Sequence, residues 1–135
     1  MRIMAIDYGD ARTGIAVSDL TGLIAGETFV IAQRNAEALA QAIAAAAAER
    51  EVGTLVLGLP KNMDGTEGPR AEKARALKAL LEAAGAPPVV LWDERRTTID
   101  AHRILRENGK KEKKHKATVD AVAAALILEG YLGTL

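Results

Sequence analysis

The chain opens on short apolar runs separated by turn residues. Ile3, Ala5 and Ile6 lead to Asp7, Tyr8-Gly9-Asp10-Ala11-Arg12 has the composition of a turn, and Thr13 to Ser18 carries Ile15 and Val17. That pattern predicts a β-hairpin. Thr21-Gly22 supplies another turn, and residues 23–32 predict a third strand because Thr28, Phe29, Val30 and Ile31 are β-branched or aromatic. From residue 35 the period changes. Leu39 and Ile43 recur at helical spacing in an alanine-rich stretch up to Glu51, with Asn35 as its N-cap and Gly53 as its stop.

Residues 54–59 are apolar without alternation, as expected of a strand covered on both faces. Pro60 and Asn62-Met63-Asp64-Gly65 predict a polar loop, with Thr66 capping a helix over residues 67–84 whose stripe is Ala74, Leu77, Leu80 and Leu81. Gly85 and Pro87-Pro88 end that helix before a strand over residues 89–92. Thr97 or Thr98 caps a further helix running to about Asn108, Gly109 stops it, and residues 110–116 read as a solvated, lysine-rich loop. A last helix, residues 118–132, is apolar on almost every side and belongs deep against the sheet. Three antiparallel strands followed by alternating helices and strands predict an α/β fold, a mixed sheet with helices on both faces. Strand order stays open at this level.

Composition narrows the chemistry. A chain of 135 residues has room for one core, so one domain, residues 1–135, is expected to carry every function. Apolar residues make up 49% and charged ones 27%, a globular profile, while the 18 acids and 18 bases cancel and leave the partner unspecified. Basic residues nevertheless cluster between Arg95 and Lys116. With no cysteine, disulfides, thiolate metal sites and a thiol nucleophile are excluded, which leaves oxygen and two possible imidazole ligands, so any metal is expected to be a hard one. The first residues meet charge too early for a secretory signal, and no apolar run reaches membrane-spanning length, so the cytoplasm is the expected compartment.

The candidate chemistry lies in acids at unusual places. Asp7 ends the first strand at a glycine-containing turn, where a carboxylate projects from the sheet edge. Asp120 stands near the start of an otherwise apolar helix, on the stripe of Ala123, Ala124 and Ile127, and a buried carboxylate costs several kcal/mol unless paired or metal-bound. Capping of its own helix is the plainer explanation for Asp120, as turn formation is for Asp7. Asp93 and Glu94 are neighbours on a strand, so only one of them faces a common site; Glu94 is preferred, with Asp93 still open. Asp7, Glu94 and Asp120 together form an oxygen-only set suited to Mg²⁺ or Mn²⁺, and two such ions ~3.5–4 Å apart support in-line phosphodiester hydrolysis.

These residues resemble the bacterial YqgF/RuvX family, described as Holliday-junction-resolvase-like and as precursor ribosomal RNA nucleases. The resemblance spans nearly the whole chain in four ordered blocks: Asp7-Tyr8-Gly9 with Arg12, Gly14 and Ser18-Asp19; Gly58-Leu59-Pro60 with Asn62, Asp64-Gly65 and Gly68-Pro69; Asp93-Glu94-Arg95 with Thr97-Thr98; and Asp120 with Ala123-Ala124. It implies a ribonuclease H-like fold with strand order 3-2-1-4-5, and acids Asp7, Glu94 and Asp120 converging at the carboxyl end of the central strand as catalytic residues and metal ligands. One departure stands out. In junction resolvases and RNase H enzymes the second acid ends the fourth strand, where this chain has Gly58-Leu59-Pro60, so Glu94 must reach the site from one strand over.

Arg12, Arg95 and Arg96 are expected to bind phosphates beside the acids, and Lys110, Lys111, Lys113, Lys114 and Lys116 to follow the backbone of a structured RNA or a branched DNA. Asn62, Asp64 and Thr66 are further candidates for the site lining, with turn and capping chemistry as their plainer role. The function implied is processing of the 5′ end of pre-16S rRNA, with Holliday junction resolution as the alternative and a non-catalytic RNA- or protein-binding assembly factor as the third reading. An actin-like or sugar-kinase phosphotransferase is disfavoured by length, since such enzymes close two domains around a nucleotide, and by the lack of a G-x-x-x-x-G-K-[ST] loop. Single-strand recognition by stacking is disfavoured too, because aromatic residues are only 3% of the chain. Monomer and homodimer both stay open, a two-fold dimer favouring the DNA reading.

Overall fold

The computed structural model describes residues 1–21, 25–94 and 112–135, and of residues 25 and 112–120 only the backbone. Five strands, β1 (Arg2–Asp7), β2 (Thr13–Ser18), β3 (Ala25–Ile31), β4 (Val52–Leu59) and β5 (Val89–Asp93), form one sheet in the order β3-β2-β1-β4-β5. The β1–β2 and β2–β3 pairs are antiparallel, whereas β1–β4 and β4–β5 are parallel. Parallel neighbours need crossovers, and α1 (Ala36–Glu49) and α2 (Pro69–Ala83) supply them. The order expected from the resemblance is therefore the one observed.

Strand alternation sorts side chains onto two faces with different partners. Met4, Ile6, Ile15, Val17, Leu55 and Leu57 face α1 and α2 and pack with Leu39, Ile43, Leu77 and Leu81, all of them 0–1% exposed. Burying a side chain of that size stabilises by about 1.5–3 kcal/mol, so this large-residue layer dominates the core. The opposite face is lined by smaller residues. Ala16, Ala5 and Val56 stand in register across β2, β1 and β4 and meet Ala124, Ile127 and Leu128 of α3 (Glu112–Leu132). At the far end of α3, a Cβ on Gly130 would lie 2.8 Å from Trp92 Cζ2, and Tyr131 meets the Trp92 ring edge-on at 6.4 Å between centroids. Only a glycine lets the helix seat that closely on β5.

Three local expectations are corrected. The first helix ends at Arg50, whose N–H bonds back to Ala46, and Glu51 turns the chain at φ 56°; Gly53 belongs to β4. Gly68, not Thr66, is the N-cap of α2, with Pro69 in its first turn, while Thr66 is held by the Asp64 carboxylate 2.6 Å away. The lysine-rich stretch is no loop from Glu112 onward: α3 starts there, so Lys113, Lys114 and Lys116 lie on helix, as expected of good helix formers once a packed helix extends them. The helix predicted from Thr97 or Thr98 to Asn108 lies outside the described residues. The N-cap role of Asn35 holds, its Oδ1 accepting from Ala38 N–H at 2.9 Å.

Candidate active site

Asp7 is the last residue of the central strand, paired with Gly14 across the hairpin. Counting back along the pleat, Ala5 and Ile3 belong to the α3 face, and Asp7 shares it. The same count decides between the adjacent acids at the end of β5, Asp93 as its last residue and Glu94 just after it. Val89 and Leu91 pack on the α1/α2 side and Trp92 on the α3 side, so Asp93 points away and Glu94 returns to the face of Asp7.

Glu94 crosses β4 to get there. Gly58, which is in register with Trp92, provides the passage: a Cβ at position 58 would lie 2.8 Å from Glu94 Cγ and 2.7 Å from its Cδ. The absence of a side chain at that point is what allows the Glu94 carboxylate to reach Asp7. The two carboxyls form a hydrogen bond, and burial, the Glu94 hydrogen bond and its charge, in that order, push the Asp7 carboxyl from 3.8 up to about 8, with the Arg70 charge pulling weakly the other way. Without a cation the raised Asp7 carboxyl lets the pair hold a proton between its two groups at neutral pH. Like charges held this close are the electrostatic signature of a pair that a divalent cation would relieve.

Asp120, the third expected acid, belongs to α3 one turn before Ala124, a residue buried against the Asp7 face of the sheet. Its side chain is among those not described. The helix that carries it is thus the one packed on the sheet face that Asp7 and Glu94 share. Among the described residues no group of three metal-ligating side chains occurs. The Asp7–Glu94 pair nevertheless fits Mg²⁺ or Mn²⁺, being oxygen-only, partly buried and self-repelling.

The remaining candidates divide. Arg12 sits half-buried in the β1–β2 turn beside the site. Arg95, Arg96, Lys110 and Lys111 lie outside the described residues, as do the side chains of Lys113, Lys114 and Lys116. Asn62 and Thr66 bond to each other at 2.9 Å and Asp64 to Thr66, so this loop does its own turn chemistry. Two cations escaped the sequence reading. Arg70 donates to the Tyr8 carbonyl at 3.3 Å, and Lys73 reaches Asp10 at 3.1 Å, both from the first turns of α2. Their i, i+3 spacing was visible in the sequence, but nothing in it shows that α2 begins beside the β1–β2 turn.

A model of the RuvX family, described as Holliday junction resolvase, matches residues 1–134. The chain belongs to the RuvX family. A relative from Halothermothrix orenii is 45% identical over 132 residues, covering 98% of this chain and 94% of its own, and bears the name "Putative pre-16S rRNA nuclease". A relative of the same name from Listeria monocytogenes is 43% identical and covers 99% of both chains. Among solved structures, Thermus thermophilus RuvC in complex with a Holliday junction substrate superposes with a TM-score of 0.56 at 17% identity, covering 99% of this RuvX chain and 97% of that chain. Fowlpox virus resolvase with its junction DNA matches at the same TM-score and 14% identity, covering 99% and 98%. At such identities these structures share the fold with this RuvX chain, the ribonuclease H-like sheet described above.

Proposed function

We propose that this RuvX protein is a metal-dependent nuclease, a single ribonuclease H-like domain over residues 1–135, that processes the 5′ end of pre-16S rRNA in the cytoplasm. The observation that carries the chemistry is the contact between Asp7 and Glu94 on the face covered by α3, reached only across Gly58. The relatives' shared name supports the substrate. Asp7, Glu94 and Asp120 would hold Mg²⁺ or Mn²⁺, two ions in the full site, which supplies activation of water and neutralisation of charge at the phosphoryl oxygens. The chain's own part is to fix the geometry. Asp7 is anchored on the central strand, Glu94 is aimed by the pleat of β5, and the protein keeps both carboxyls in a partly dry setting where their negative charge acts strongly on a cation. A cation held there would compete with the Asp7 proton, so its binding would strengthen as pH rises. No helix among the described residues is long and apolar enough to cross a membrane.

The family description and the junction-bound structural neighbours favour a second reading, resolution of four-way DNA junctions by a two-fold dimer. One experiment separates them. Labelled pre-16S leader RNA and a four-way junction are incubated with Mg²⁺ or Mn²⁺ and wild-type, Asp7→Asn or Asp120→Asn protein. Metal-dependent RNA cleavage lost in both variants is the expected result. Preferential junction cleavage transfers the assignment to the second reading, and equal cleavage by wild type and variants, or none by any, refutes the nuclease.

A further inference from the structure

Beside the acid pair, a small pocket is lined by Tyr8, Asp10, Gly58, Pro60, Arg70 and Lys73. It shares Gly58 with the passage taken by Glu94, so it opens next to the proposed reaction centre. Within it Asp10 receives two cations on separate oxygens, Lys73 Nζ at 3.1 Å from Oδ1 and Arg70 Nη1 at 3.7 Å from Oδ2. All three side chains are more than half exposed, which makes them poor contributors to stability and accessible to a ligand. One carboxylate cannot neutralise two cations. Arg34 adds to the imbalance, because it lines the adjoining groove with Tyr8, Asp10 and Lys73. Two donors spread over two oxygens of one anion is also the arrangement that two non-bridging oxygens of a phosphodiester would meet.

Building on the nuclease reading, we propose that Arg70 and Lys73 form a subsite for a nucleic-acid backbone phosphate flanking the scissile bond, with Asp10 holding the two cations in place until that phosphate displaces it. Arg70 also bonds to the Tyr8 carbonyl, one residue from Asp7, which ties the position of the bound phosphate to that of the acid. Asp10 then competes with substrate, so its removal strengthens binding.

The test is fluorescence anisotropy of labelled pre-16S leader RNA in EDTA, where no cleavage occurs, titrated across salt concentrations. For R70Q/K73Q we expect the dissociation constant to rise about fivefold per lost phosphate contact near 0.15 M salt, with a slope of log K against log salt shallower by about 1 per contact. D10N is expected to bind more tightly than wild type. R75Q/K78Q, an equal charge change in cations paired with Glu67 and Glu82 further along α2, is expected to match wild type. If R70Q/K73Q keeps the wild-type affinity and slope, if it merely equals R75Q/K78Q, or if D10N weakens binding, the subsite is refuted. Failure of the nuclease reading is distinct: wild type would then bind RNA in EDTA and yet cut nothing when Mg²⁺ or Mn²⁺ is restored.

Discussion

Gly58→Ala is the substitution that most directly tests the geometry of the acid pair. The added methyl would sit 2.7 and 2.8 Å from Cδ and Cγ of Glu94, whereas carbon atoms in contact prefer about 3.5–4.0 Å. One group must therefore give by about 1 Å, and the flexible Glu94 side chain yields before the backbone of an interior strand. A misplacement of that size at a reacting centre costs about 100-fold in rate, or about 2.7 kcal/mol of activation free energy. Stability moves little or even upward, since alanine in a strand is favoured over glycine by about 0.5–1 kcal/mol. The assay pairs metal-dependent cleavage with calorimetric Mn²⁺ titration and thermal melting. We expect kcat to fall about 100-fold and Mn²⁺ affinity to drop while the melting temperature is kept. Adding Glu94→Asp, one methylene shorter, is expected to cost less in the Gly58→Ala background than alone, a coupling that a double-mutant cycle reads directly. Wild-type kcat and Mn²⁺ affinity in Gly58→Ala, or strictly additive effects in the cycle, would refute the crossing of Glu94 over Gly58 as the basis of the site.

Three further outcomes follow from the same structure. The Asp7 carboxyl is raised to about 8 in the folded protein, so the stability it contributes is complete below 3.8 and is lost as pH rises through 8. Metal-free protein should therefore melt at progressively lower temperature from pH 5 to pH 8, Asp7→Asn should flatten that decline, and a decline unchanged in the variant would remove Asp7 as its cause. Mn²⁺ should raise the melting temperature more at pH 8 than at pH 5, because protons no longer compete for the carboxylate; calorimetry in buffers of different ionisation heat should detect the released proton. Thr13→Val should stabilise by about 1 kcal/mol in a denaturant titration, since the fully buried Thr13 hydroxyl has no hydrogen-bond partner among the described residues and valine keeps its shape; a loss of stability would show that the hydroxyl is satisfied in solution.

Much of this architecture is local in origin. Alternation in β1 and β2, the aromatic and β-branched run of β3, the unbroken apolar stretch of β4 and the stripe of α2 all follow from side-chain periodicity, which is why they were readable. Helix ends were less so. Glu51 adopts φ 56° because the next strand must start at once, and Thr66 is taken by Asp64 before it can cap α2; both depend on neighbours that a propensity does not see. The lysine-rich segment reads as loop by charge, yet α3 extends from Glu112, and its seating on the sheet is decided by Ala5, Ala16 and Val56 in register across the strands.

For the site, the sequence by itself determined the kind of chemistry. A chain without cysteine and with only two histidines, carrying acids at a strand end, after another strand and inside an apolar helix, points to carboxylate ligands and hard cations. Which acids meet was a tertiary decision. Asp93 and Glu94 are equivalent in a list of residues, and only the pleat of β5, together with the bare backbone of Gly58 one strand away, turns Glu94 rather than Asp93 towards Asp7. Arg70 and Lys73 are likewise ordinary helix surface until the crossover from β4 sets α2 beside the β1–β2 turn. The reason is physical in each case: composition limits which bonds can form, while proximity between residues distant in the chain exists only after the sheet has been ordered.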